Sequence, residues 1–156
     1  MKLRILISVV VTMSTASYAQ HVMTFTNAAK NGVSIQKLDS TYQSGINADP
    51  ALSVFKDVEA YMESYKELFL ALGKFLKEND FSWEKETRAF NRIYFKEDGS
   101  IDYFIYNFTP IKIDADKNQR FEELLREFVK DFKFKLSADK KFAQCSPVKY
   151  MPSKDN

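Results

Sequence analysis

The stretch Ile93-Tyr94-Phe95-Lys96-Glu97-Asp98-Gly99-Ser100-Ile101-Asp102-Tyr103-Phe104 decides the fold. Two aromatic and β-branched runs flank Asp98-Gly99, a dipeptide suited to the left-handed backbone of a tight hairpin turn. Extended outward, the runs predict strands over Trp83 to Phe95 and Ser100 to Thr109. A two-residue turn pairs Phe95 with Asp102, Tyr94 with Tyr103, Ile93 with Phe104, Arg92 with Ile105, Asn91 with Tyr106, Phe90 with Asn107 and Ala89 with Phe108. A three-residue loop would slip this pairing and change the partners on each face. One face of the hairpin is apolar enough to sit on helices. Arg88, Phe90, Arg92, Tyr94, Tyr103 and Ile105 share the other face.

Helices are predicted on both sides of the hairpin in sequence. Asp49-Pro50 has the chemistry of a helix start, and the segment from Ala51 to about Lys77 follows it. Its apolar residues form two adjacent stripes. Leu52, Phe55, Met62, Phe69 and Leu76 make one; Val54, Val58, Tyr61, Tyr65, Leu68, Leu72 and Phe75 make the other. A face that wide needs a broad partner, most simply a sheet. A second helix opens at Asp116, with Gln119 placed as in a capping box. Phe121, Leu124, Leu125, Phe128, Val129 and Phe132 recur at helical spacing along it. A last strand is predicted over Lys141 to Tyr150. Pro147 restricts its pairing to one side or to a sheet edge. The order helix, hairpin, helix, strand predicts an α+β two-layer sandwich, with two helices on one face of a three- or four-stranded antiparallel sheet.

Residues 1–19 have the form of an export signal: Lys2 and Arg4, an apolar run from Ile5 to Val11, then Ser17-Tyr18-Ala19. Cleavage is expected between Ala19 and Gln20, leaving no stable membrane anchor, with the product in the periplasm or outside the cell. Residues 20–48 read as a polar N-terminal arm, and residues 49–152 as a single α+β domain. The whole chain has 156 residues, 23 basic and 21 acidic. Loss of Lys2 and Arg4 leaves 21 of each, so the mature chain is neutral and offers no basis for nucleic-acid binding.

Composition also limits the chemistry. One Cys, one His and four Gly cannot build a disulfide scaffold, a Cys/His zinc site or a glycine-rich phosphate loop. His21 falls at the start of the mature chain, where nothing would hold it as a catalytic base. Cys145 is expected to be buried as a small apolar residue. Asp114-Ala115-Asp116-Lys117-Asn118 begins like a calcium loop, but Gln119 stands where Gly is needed and Leu125 where a Glu is needed. A helix start accounts for it. No catalytic residue, metal or cofactor is therefore assigned.

Ile93 to Ile101, with the helix and strand that follow, resembles the first hairpin and later elements of the C-terminal domain of TonB-type energy transducers. The resemblance spans roughly residues 85–150. It implies a compact α+β fold and binding by strand addition. The signal and the ending Phe142-Ala143-Gln144-Cys145-Ser146-Pro147-Val148 also resemble small exported Bacteroidetes-type proteins of unassigned function. Together these readings predict an exported non-catalytic module that binds a protein or peptide in the cell envelope. Its surface is either a sheet edge or the face of Arg88, Phe90, Arg92, Tyr94, Tyr103 and Ile105. Two other readings stay open: a small enzyme using carboxylates or Cys145, and a homo-oligomeric structural component of the envelope.

Overall fold

A computed structural model describes residues 21–108 and 112–152. The hairpin is its centre: β3 (Thr87–Phe95) runs antiparallel to β4 (Ile101–Phe108). Six of the pairs expected from the turn are present, from Ala89 opposite Phe108 to Tyr94 opposite Tyr103. The seventh differs, because Phe95 faces Ile101 and not Asp102. Two irregularities that cancel explain this. The loop has three residues, closed by the Lys96 amide donating to the Ser100 carbonyl at 2.8 Å. A bulge at Asp102 then restores the register of a two-residue turn. Gly99 holds φ at +80°, and a Cβ there would lie 2.6 Å from the Phe134 carbonyl oxygen. The turn and the passing chain together require glycine.

Around the hairpin lies a five-stranded mixed sheet in the order β1-β4-β3-β5-β2. β1 (His21–Thr24) runs parallel to β4, and β2 (Gln43–Ser44) parallel to the start of β5 (Phe142–Tyr150). β5 runs antiparallel to β3 along its whole length. The α+β class is as expected. The sheet is larger than three or four antiparallel strands, because residues 21–44 add a parallel strand at each edge.

On the first face lie α3 (Val58–Glu78) and α4 (Ala115–Asp131). Tyr61, Leu68 and Leu72 of α3 meet Ile93, Phe95 and Phe104 of the hairpin and Phe121 and Leu125 of α4, all fully buried. Burial of each such side chain stabilises the fold by about 1.5–3 kcal/mol. The start of α3 lies later than Asp49-Pro50 suggested. Asp49 caps only a 3-10 turn at Pro50–Leu52. The Val54 and Phe55 amides then donate to the Ser44 and Gly45 carbonyls at 3.0 Å, which holds the chain extended beside β2. Asp57 is the true N-cap, accepting from the Ala60 amide at 2.9 Å. Likewise Asp114, not Asp116, caps α4, accepting from the Asp116 and Lys117 amides.

The second face is covered as well, where a two-layer sandwich would have left it open. α1 (Phe25–Lys30) and α2 (Ile35–Thr41) fold back across it. Ala28, Leu38 and Tyr42 pack there against Tyr94, Ile105 and Ala143. The polar arm of residues 20–48 is thus a layer of the fold wherever it is described. Thr24 and Ser34 start its helices by accepting from the Asn27 and Lys37 amides.

Candidate binding groove

Arg88, Phe90, Arg92, Tyr94, Tyr103 and Ile105 do share one face of the hairpin. Residues 21–42 close most of it. Tyr94 and Ile105 are fully buried, and Arg92 and Tyr103 are half-buried. Arg88 stays exposed, and Phe90 is 37% exposed. Arg92 Nη1 donates to both Asp39 oxygens at 2.8 and 2.6 Å, and the Tyr94 hydroxyl donates to Asp39 Oδ1 at 2.9 Å. Two side chains of this face, through three hydrogen bonds, therefore anchor α2. His21 is not a loose end: its ring stacks on Tyr103 at 4.6 Å. Ala19 and Gln20 lie outside the described residues.

Cys145 is exposed, contrary to its expected burial, because it sits where β5 has lost its neighbour β2. Packing around the sulfur still raises its pKa above the ordinary thiol value, with the nearby Arg92 charge opposing. Among the described residues no three His, Cys, Asp or Glu side chains gather as a metal site would need.

The open concave surface lies on the other side of β5. α3 has a wider apolar face than the sheet can cover. Tyr61, Tyr65, Leu68 and Leu72 are buried, while the neighbouring stripe of Met62, Phe69 and Leu70 borders a cleft. The cleft holds about 600 Å3 between α3 and the second half of β5, and Trp83 and Tyr150 close its inner end. Met62, Leu70 and Met151 are 47%, 61% and 63% exposed, and all three line it. Exposed large apolar side chains gathered in one concavity mark a contact surface. Gly73 on α3 adds bare backbone to the wall, since a Cβ there would meet nothing within 4 Å.

Polar groups hold the seam between α3 and β5 rigid. The Tyr65 hydroxyl and Ser146 Oγ share a hydrogen bond of 2.7 Å, and the Tyr61 hydroxyl donates to Gln144 Oε1 at 3.2 Å. Burial raises the Tyr65 phenol above its ordinary pKa, against the opposing Ser146 bond. Trp83 stacks on Tyr150 at 5.5 Å, and Asn91 Nδ2 donates to the Tyr150 hydroxyl at 3.3 Å.

Beside the cleft runs a strand edge that has no neighbouring strand among the described residues. The Ala143 carbonyl accepts from the Gly45 amide at 2.8 Å, and Ala143 is the last residue of β5 paired with β2. Backbone groups alternate sides along a strand. Cys145, Pro147 and Lys149 therefore direct their backbone polar groups to the same side, with no strand beyond them among the described residues; the Cys145 carbonyl accepts there from Gln144 Nε2 at 3.2 Å. Pro147 has no N–H to offer there, which agrees with the edge position that the sequence suggested.

The sequence pointed to the sheet edge, but not to the cleft. Part of the signal was present in Met62 and Phe69 of the first stripe, which the sheet leaves uncovered although it buries Leu76 of the same stripe; Leu70 lies in neither stripe. Among the described residues no helix is long and apolar enough to cross a membrane. Comparison of the chain with protein-family models, with curated proteins and with solved structures found no match in any of the three.

Proposed function

We propose that this protein is a non-catalytic binding module that receives an extended segment of a protein or peptide partner in the groove between α3 and β5. The observation that carries this reading is the convergence of exposed Met62, Leu70 and Met151 on a cleft beside a strand edge left open by the described residues. A segment laid along that edge gains backbone hydrogen bonds, and its side chains reach the apolar wall of α3. Methionine-rich walls suit such a role, because flexible thioethers adapt to the side chain presented. The resemblance of residues 85–150 to TonB-type C-terminal domains belongs with the same reading. So does export: with residues 1–19 removed between Ala19 and Gln20, the partner lies in the cell envelope, in the periplasm or outside the cell.

The test is a double variant, Met62→Glu with Leu70→Glu. Both side chains are exposed, so the fold tolerates the change. The tagged wild-type chain, cross-linked in its native host, should recover a defined envelope partner that the double variant loses while its thermal melt stays the same. A partner retained by the double variant would rule out this groove. Mass spectrometry of the host's material should find a chain beginning at Gln20, and an intact Met1 would overturn the export reading.

A further inference from the structure

Residues 21–44 are one contiguous piece whose removal would leave the centre of the sheet whole. β1 and β2 hold the two outer lanes of the order β1-β4-β3-β5-β2, and α1 and α2 cross the second face between them. What remains is β4-β3-β5 with α3 and α4 on the first face, a two-layer unit with its own buried core. The boundary is sharp. A Cβ on Gly45 would lie 2.3 Å from the Tyr61 hydroxyl, so at Gly45 the chain is already pressed onto α3.

The two parts are held together differently. The first-face core joins helices of 21 and 17 residues to the long strands. α1 and α2 have six and seven residues, below the roughly 12–15 at which a helix persists without tertiary support, so they exist only while docked. Their docking buries Met23, Ala28, Leu38 and Tyr42 against Tyr94, Ile105 and Ala143. Two polar clasps fasten it: Asp39 accepts from Arg92 and Tyr94, and the Tyr42 hydroxyl donates to Asp102. On the first face, residues 21–44 contribute Val22 to the core, and Arg126 Nη2 donates to the Val22 carbonyl at 3.3 Å.

Arg92 works against the closed state. It stands on β3, the middle strand, under the covering layer, where an apolar side chain would pack. Its Nε is buried with no partner among the described residues. The lost hydration of that group counts against closure alone, because opening returns it to water.

We propose that residues 21–44 are a strap that opens and closes as a single unit while β4-β3-β5, α3 and α4 stay folded. Opening uncovers Tyr94, Ile105 and Arg92, the part of the hairpin face that the strap conceals. The Asp39 and Tyr42 clasps set how often it opens.

Amide hydrogen exchange, followed residue by residue in the whole protein, tests this. The amides of β1, α1 and α2 should share one level of protection, among them Leu38, which donates to the Ser34 carbonyl at 3.0 Å, and Tyr42, which donates to the Leu38 carbonyl at 2.8 Å. That level should lie about tenfold or more below that of β3 and β4. Low urea should accelerate the strap amides less than the strand amides, since a partial opening exposes less surface. Asp39→Ala breaks one clasp and should accelerate every strap amide about tenfold, those of β1 included. Leu72→Ala weakens the first-face core, which the open and closed states share. It should accelerate the amides of β3 and β4 and leave the strap amides unchanged.

Strap and strand amides that share one protection level and accelerate together in Leu72→Ala would overturn the proposal, because the protein would then open only as a whole. β1 amides unmoved by Asp39→Ala would also overturn it, because the elements would then fray one by one. Should Leu72→Ala fail to fold, the wild-type urea series decides: equal acceleration of strap and strand amides defeats the strap.

Discussion

The Tyr42 hydroxyl donates to the Asp102 carboxylate at 2.5 Å, joining the end of α2 to the residue that β4 inserts opposite β3. The bulge and the covering layer therefore depend on each other. Without the extra residue Asp102 would not reach Tyr42, and without Tyr42 the carboxylate would be half-buried beside aromatic rings with no donor from α2. Tyr42→Phe keeps the ring, its edge contact with Tyr94 at 5.1 Å and the Lys141 ammonium 5.4 Å from its centroid. It should destabilise the protein by about 1–2 kcal/mol, the range for a hydrogen bond to a partly exposed charged group. Asp102→Ala should cost about as much, and the two losses should not add. Urea unfolding of the single and double variants measures this coupling, and full additivity would show that the bond contributes nothing.

Gly99→Ala tests the hairpin turn. The substitution forces a side chain onto φ of +80° and places its Cβ 2.6 Å from the Phe134 carbonyl oxygen. Phe134 cannot withdraw cheaply, because its amide donates to the Gly99 carbonyl at 2.9 Å. The expected loss is about 2–3 kcal/mol, from left-handed backbone strain plus displacement of the chain after α4. A midpoint of urea unfolding unchanged from wild type would refute the close approach.

Gly73 should behave in the opposite way. It lies inside α3 with open space where a Cβ would stand. Gly73→Ala should raise stability by about 0.5–1 kcal/mol, since glycine is the costlier residue in a helix interior. Gly73→Leu would project a side chain into the cleft. It should keep the stability of the Ala variant and weaken recovery of the cross-linked envelope partner. Undiminished recovery would place the binding path away from that wall.

Stability should fall in alkali. Tyr42, Tyr61, Tyr65, Tyr94, Tyr103, Tyr106 and Tyr150 all have phenol pKa values raised above 10.0, chiefly by burial. In the unfolded chain these phenols ionise near the ordinary value, so their stabilising contribution is complete below about pH 10 and is lost as pH rises beyond it. Denaturant midpoints should therefore drop as pH rises above about 10, with phenolate absorbance appearing together with unfolding. Phenolate signal from most tyrosines in a chain that remains folded would contradict their burial.

Cys145 should react in the native state. It is exposed, so a thiol reagent should modify it without denaturant. Its raised pKa leaves less thiolate at neutral pH than a free cysteine has, so the reaction should be slower than in the unfolded chain and should accelerate with pH. Protection until unfolding would return Cys145 to the core.

Six pairs of the hairpin agree with the sequence reading although its two-residue turn is absent, because the bulge at Asp102 offsets the three-residue loop. Asp98-Gly99 locates the turn, and the apolar alternation of Ile93 with Phe95 and of Phe104 with Tyr106 chooses the face. The helical stripe from Phe121 to Val129 was legible from its own period of 3.6 residues. The covering layer was not. α1 and α2 span six and seven residues, too few for a periodic pattern to show, and only their caps Thr24 and Ser34 are visible in the chain.

Local pattern therefore determined the α+β class, the pairing of β3 with β4, the buried stripe of α4 and the edge position of Pro147. These follow from interactions between residues that are near in sequence or joined by one turn. Tertiary structure alone decided that residues 21–44 close the second face, that β2 ends opposite Ala143 and that the outer stripe of α3 has no sheet beneath it. Each of those depends on where distant segments stop covering one another. That is settled by competition for a limited area of sheet, and no window of sequence contains it.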